Sequence, residues 1–310
     1  MDKLIQAIIK KQNPSVIGLD TKLAYIPQQL RDAFGEDCSD FASCARAILQ
    51  YNKLLIDAVC DVVPGVKLQV AYYEMYSHEG MQAFRQTAAY AREKGMYIIA
   101  DVKRNDIGAT AEAYASAYLG TTALQNNEAH AFDTDSVTLN AYLGSDGIKP
   151  FLEICSQKDK TAFILVKTSN KSSGEFQDML LSDGRKVYEA MGDMVAQWGG
   201  ASVGSYGYSN AGAVVGATYP QQGKELRERL AHTFFLIPGY GAQGGAAEDL
   251  AGCFDSRGLG GVVNASRSLI CAYQKEAYSG MTPAEAARAE AIRMRDDIVG
   301  TLKKLNKWSL

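Results

Sequence analysis

Met96-Tyr97-Ile98-Ile99-Ala100-Asp101-Val102-Lys103-Arg104-Asn105-Asp106 is the stretch from which the fold can be read. A short apolar run reads as a buried strand, and it ends abruptly in a cluster of charge. Side chains two apart on a strand share a face. Asp101 and Lys103 therefore point together into whatever the strand ends line, while Val102 points away. Asp106 falls in the turn that follows, before Ile107-Gly108-Ala109-Thr110. A lysine held between two carboxylates keeps its proton, because opposite charge favours the ionised form. Such a group is a cation or a proton donor, not an amine nucleophile. On these residues alone, a plain strand-end salt bridge and a functional charge cluster are both open.

Outward from this stretch, similar apolar runs recur. Val16–Leu19, Gly65–Leu68, Ser136–Leu139, Ala162–Val166, Ala213–Gly216, Phe234–Ile237 and Gly260–Val263 join Met96–Ala100 as strand candidates. Helical patterns lie between most of them: Phe41–Cys60, Glu74–Lys94, Ala111–Leu119, Asp178–Gln197, Gln221–Leu230 and Ala246–Leu250. The chain opens with an amphipathic segment at about 2–12 and closes with a charged helix over 283–304, where Thr282 caps and Pro283 takes the first turn. Strands alternating with helices imply a parallel sheet. With no break in composition, the expected fold is a single-domain α/β (β/α)₈ TIM barrel over residues 1–310. An open doubly wound sheet is the alternative, but no G-x-G-x-x-G follows the first strand. The Gly- and Ser-rich stretch 199–212 reads as a long loop, with a mobile lid as its suggested role.

Composition narrows the class. The 310 residues are 47% hydrophobic and 22% charged, with a net charge of −3, so a basic nucleic-acid surface is not expected. The six cysteines show no C-x-x-C spacing and read as reduced thiols of a cytoplasmic protein. The three histidines lie far apart, which argues against a zinc site or a histidine-based triad. No run approaches the roughly 18 apolar residues of a membrane span, and the N-terminus is too polar for a signal peptide.

In a barrel the chemistry sits at the C-terminal ends of the strands. Those ends carry Asp20 and Lys22, Lys67 and Gln69, Asp101 and Lys103, Asn140, and Lys167-Thr168-Ser169-Asn170. The seventh strand runs into Pro238-Gly239-Tyr240-Gly241-Ala242-Gln243-Gly244-Gly245, whose glycines let backbone N–H groups approach an anion. The eighth runs into Asn264-Ala265-Ser266-Arg267, and an arginine there can clamp phosphate oxygens. Together they point to a phosphate site.

As an ordered set these motifs resemble the orotidine 5′-phosphate decarboxylase family, in its longer bacterial branch. The D-x-K-x-x-D-I-G-x-T signature stands as Asp101 to Thr110, supported by Gly18-Leu19-Asp20, Val66-Lys67-Leu68-Gln69, Val137-Thr138-Leu139-Asn140, Lys167-Thr168-Ser169-Asn170 and Val215-Gly216-Ala217-Thr218. The Gly239–Gly244 turn and Arg267 complete the match. The resemblance implies that Lys67, Asp101, Lys103 and Asp106 form an alternating charge network. It also implies a homodimer in which Asp106 and Thr110 reach the neighbouring site. Substrate contacts would come from Asp20, Thr110, Asn140, Ser169, Gln243 and Arg267, with Gly239, Gly241 and Gly244 in the phosphate loop. Thr168 remains an alternative to Ser169 at the pyrimidine.

The implied reaction is loss of carbon dioxide from orotidine 5′-monophosphate, with no cofactor or metal. Fixed charge would then stabilise the carbanion at C6, and Lys103 would protonate it to give UMP. Asp101 would lie near the departing carboxylate, either repelling it or orienting Lys103. The D-x-K-x-x-D core is shared with sugar-phosphate decarboxylases that use Mg²⁺, which stay open as an alternative. A Schiff-base aldolase is disfavoured, because flanking acids raise a lysine pKa that such chemistry needs lowered. A non-catalytic phosphate-binding barrel would have no use for the charge network.

Overall fold

A computed structural model describes residues 1–241 and 246–310. All eight expected runs are strands, and they close into one parallel barrel. They are β1 (Ser15–Gly18), β2 (Gly65–Gln69), β3 (Tyr97–Arg104), β4 (Ser136–Leu139), β5 (Thr161–Lys167), β6 (Ala211–Val215), β7 (Phe235–Pro238) and β8 (Gly261–Ala265). Each pairs with its sequence neighbours, and β8 closes on β1 through Ser15–Val263, Val16–Asn264 and Ile17–Ala265. The barrel strands are buried almost throughout, as expected when helices cover the outside and side chains fill the inside.

Helices of ten residues or more are α1 (Asp2–Lys11), α2 (Phe41–Val59), α3 (Ser77–Glu93), α4 (Gly108–Tyr118), α5 (Lys149–Lys158), α6 (Val187–Gly199), α7 (Pro220–Arg229) and α8 (Pro283–Lys304). Local chemistry sets several boundaries. Asp40 caps α2 by accepting from the Ser43 N–H at 2.7 Å, and Thr282 caps α8 in a reciprocal box with Glu285. Two expected helices are corrected. Glu74–Lys94 is broken at the start of α3, whose first residue Ser77 takes φ 55°, a left-handed conformation that a continuous helix does not accommodate. Asp178–Gln197 begins only at Val187. Residues 178–186 instead turn back through a Leu180–Lys186 bridge and Gly184 at φ 85°. Helix α5 had no counterpart in the sequence reading, nor did the two-residue hairpin of Thr122–Ala123 and Glu128–Ala129.

The suggested lid is also corrected. Residues 200–210 connect α6 to β6, so they lie at the N-terminal end of the barrel, opposite the functional strand ends. There the Ser205 N–H donates to Asp2 of α1 at 2.8 Å, and buried Tyr208 donates to Asp255 at 2.9 Å. Met1, Leu4, Ile5 and Ile8 pack with Val16, Tyr97, Ile99, Phe163 and Val262 in one cluster with Tyr208. This end of the barrel is plugged by apolar packing. Among the described residues no helix is long and apolar enough to cross a membrane, and the six cysteines are free thiols.

Candidate active site

Asp101 is the hub of the site. Its Oδ2 accepts from Lys67 Nζ at 2.8 Å and from Gln69 Nε2 at 3.1 Å. Its Oδ1 accepts from Lys103 Nζ at 2.6 Å and from Thr138 Oγ1 at 2.9 Å. Lys67 Nζ also reaches Asp20 Oδ1 at 3.4 Å, giving a row Asp20–Lys67–Asp101–Lys103 of alternating sign. Burial alone would push the Asp101 carboxyl up, but the two ammonium groups outweigh it and hold it well below the usual carboxylate range. Burial alone would likewise pull Lys67 down, and Asp101 with Asp20 lifts it above the ordinary lysine value instead. The row is graded in exposure. The Lys67 and Asp101 side chains are 4% and 10% exposed, whereas Lys103 is 45% exposed and faces the open cavity.

The placement of Lys103 depends on a break in the sheet. Along β3 and β4 the register runs from Ala100–Val137 to Arg104–Leu139, so four steps on one strand face two on the other. Within that bulge Lys103 takes φ 47°, and Thr138 Oγ1 accepts from both the Val102 and Lys103 N–H groups at 3.0 Å. A lysine in this region costs about 1–3 kcal/mol and persists where its surroundings over-determine it. The sequence pattern points to Asn140, just past the end of β4, whereas the residue on the cavity is Thr138 within the strand. Asn140 is exposed, outside the cavity lining, and its Oδ1 accepts from the Tyr142 N–H at 3.0 Å. The signal for Thr138 was present in the alternation, two residues deeper on the inward face.

Asp106 does not join the row within one chain. Its Oδ1 accepts from the adjacent Ile107 N–H at 2.8 Å, and Lys103 is clasped by one carboxylate rather than two. Thr110 is exposed on α4. Both lie past the bulge, where the chain turns outward.

The cavity encloses about 820 Å³. Lys67, Asp101, Lys103 and Thr138 form one wall, Thr168 and Ser169 another, and Leu165, Val214 and Leu236 the apolar floor. Gly216 must be glycine, since a Cβ there would lie 2.8 Å from Ser169 backbone and Cβ atoms. At the far rim stand Gly239, at φ 108°, and Arg267, at the first turn of the short helix after β8. Gly241 lies behind them, beside Arg267 and Ser268 in a smaller recess. Gln243 and Gly244 fall outside the described residues. Residues without a place in the sequence-based site are Gln177 and the aromatic rings of Tyr25 and Tyr72, whose centroids lie 5.7 Å and 5.5 Å from Lys22 Nζ. Nothing in the spacing of these loop residues announces that they meet. Among the described residues no group of three His, Cys, Asp or Glu side chains is placed to hold a metal ion.

The model of the orotidine 5′-phosphate decarboxylase / HUMPS family matches residues 37–279. Orotidine 5′-phosphate decarboxylase of Caldicellulosiruptor bescii is 41% identical over 279 residues, covering 90% of this chain and 91% of its own. That of Clostridium acetobutylicum is 41% identical over 302 residues, covering 97% and 99%. Among solved structures, Leishmania donovani OMP decarboxylase superposes with a TM-score of 0.72 at 26% identity, covering 96% of this chain and 98% of that one.

Proposed function

This chain belongs to the orotidine 5′-phosphate decarboxylase / HUMPS family, and from that premise we propose that its cavity converts orotidine 5′-monophosphate to UMP and carbon dioxide, the last step of de novo UMP synthesis, without a cofactor. One observation carries the proposal. The charged row ends in an ammonium group, Lys103, that is hydrogen-bonded to a buried carboxylate and open to the cavity.

In this reading Arg267 holds the 5′-phosphate with Gly239 and Gln243, Asp20 takes the ribose hydroxyls, and Ser169 meets the pyrimidine. Thr168 Oγ1 is already committed, donating to Asn170 at 2.6 Å and accepting from Gln177 Nε2 at 2.8 Å, which favours Ser169 for that contact. When the bond from C6 to the carboxylate breaks, its electron pair stays on C6. The Lys103 ammonium stabilises that charge from a fixed position, then transfers a proton to C6 to complete UMP. Four donors converge on Asp101. Its charge is thereby largely compensated, so its part is to aim Lys103 rather than to repel the substrate. The protein acts as a homodimer in which Asp106 and Thr110 complete the neighbour's site. Supporting this are the position of Asp106 outside its own row and the exposed Ile107 and Leu143 nearby.

The deciding experiment is purified protein with orotidine 5′-monophosphate in EDTA, followed by the ultraviolet change as UMP forms. Full activity in chelator is expected. Activity abolished by EDTA and restored by Mg²⁺ would instead favour a metal-dependent sugar-phosphate lyase. Arg267→Ala is expected to raise KM about ten- to a hundredfold, the worth of charged hydrogen bonds to one phosphate, with a smaller fall in kcat. An unchanged KM would remove Arg267 from the phosphate site.

A further inference from the structure

Behind the cavity wall, Lys167 has a side chain that is 0% exposed, and the reaction as described makes no use of it. A buried ammonium needs a partner. Asp178 supplies both carboxylate oxygens at 3.0 Å, and the Tyr219 ring centroid lies 4.6 Å away. Gln222 Nε2 donates to Asp178 at 3.3 Å from a further element. The pair closes the loop that leaves β5. Inside that closure Gln177 spends its whole amide on one residue: Oε1 accepts from the Thr168 N–H at 2.9 Å, and Nε2 donates to Thr168 Oγ1 at 2.8 Å. Tyr219 OH donates to the Asn170 carbonyl at 3.4 Å. Thr168 and Asn170 are so gripped, and both line the cavity with Ser169 between them.

We propose that Lys167, Asp178 and Gln177 form a positioning clamp that sets the Thr168–Ser169 segment for recognition of the pyrimidine base. The inference rests on the reading that this segment faces the base. A buried ion pair contributes little net stability against an apolar replacement. What it can do here is exclude alternative loop geometries, and a misplacement of about 1 Å can cost about a hundredfold. The clamp acts through Thr168 and Ser169 and touches no reacting atom.

The test compares two ligands, UMP and ribose 5-phosphate, which share the sugar phosphate and differ in the base. Binding is measured for Gln177→Ala, Asp178→Asn and Lys167→Met, alongside Ser169→Ala. The clamp variants are expected to weaken UMP about tenfold or more while leaving ribose 5-phosphate within about twofold, with KM raised more than kcat falls. If both ligands weaken together, or neither does, the clamp is overturned. Half-buried Gln177 decides the matter if Lys167→Met does not fold. Ser169→Ala reports separately on the underlying reading. If it leaves the ligand ratio at the wild-type value while Gln177→Ala shifts it, the clamp stands and the base contact lies elsewhere in the segment. If Ser169→Ala shifts the ratio and Gln177→Ala does not, the contact stands and the clamp falls.

Discussion

Lys103→Ala is expected to lower turnover at least about 10⁴-fold, because one group supplies both the cation beside C6 and the proton that quenches it. The loss should fall on kcat, with UMP still bound, since the phosphate grip is at the other rim. Folding should survive. The Lys103 side chain is 45% exposed, and its removal leaves Asp101 with Lys67, Gln69 and Thr138 as donors. A variant that kept more than about a hundredth of wild-type kcat would remove Lys103 from the chemistry. The same variant tests the dimer. Mixed with Asp106→Asn, itself expected to be nearly inactive, it should regain about a quarter of wild-type activity, because half the dimers carry one intact composite site. No recovery after subunit exchange would mean that Asp106 serves its own chain or none.

Asp101→Asn is expected to disable turnover and to destabilise the fold together, by about 3–5 kcal/mol, the cost of stripping one partner from a buried ion pair. Lys67 would keep Asp20, at 3.4 Å, as its one carboxylate partner, and two ammonium groups would face each other without a carboxylate between them. The pH dependence has a definite sign. Asp101 is held below its unfolded value, so its contribution is present above about pH 4 and fades as pH falls toward the depressed folded value. Lys67 is held above its unfolded value, so its contribution is complete below about pH 10 and is lost as pH rises further. Urea unfolding across pH should therefore show a larger wild-type advantage over Asp101→Asn at pH 7 than at pH 3. An equal difference at both would show that the pair contributes nothing through charge.

The barrel was legible because its strands are short apolar runs alternating with helical stretches, a pattern that needs no partner to be seen. Lys67, Asp101 and Lys103 were legible for a related reason. Charge at the end of a buried strand contradicts the local rule for a core, and such contradictions mark sites. Helix ends written in the chain, such as Thr282 before α8, were read where they fall. By itself, then, the sequence determined the eightfold alternation and the charges gathered at one end of the barrel.

Tertiary structure alone decided how those charges meet. The bulge at Ala100–Arg104 depends on Thr138 of the neighbouring strand, and no property of residues 96–106 announces it. Likewise the choice of Thr138 over Asn140 and the place of residues 200–210 beside α1 each rest on a partner distant in sequence or across the sheet, and the grip of Gln177 on Thr168 rests on how one loop folds back on itself. Hydrogen bonds of a few ångströms select among loop geometries of similar local energy. Only the closed barrel brings their two ends together.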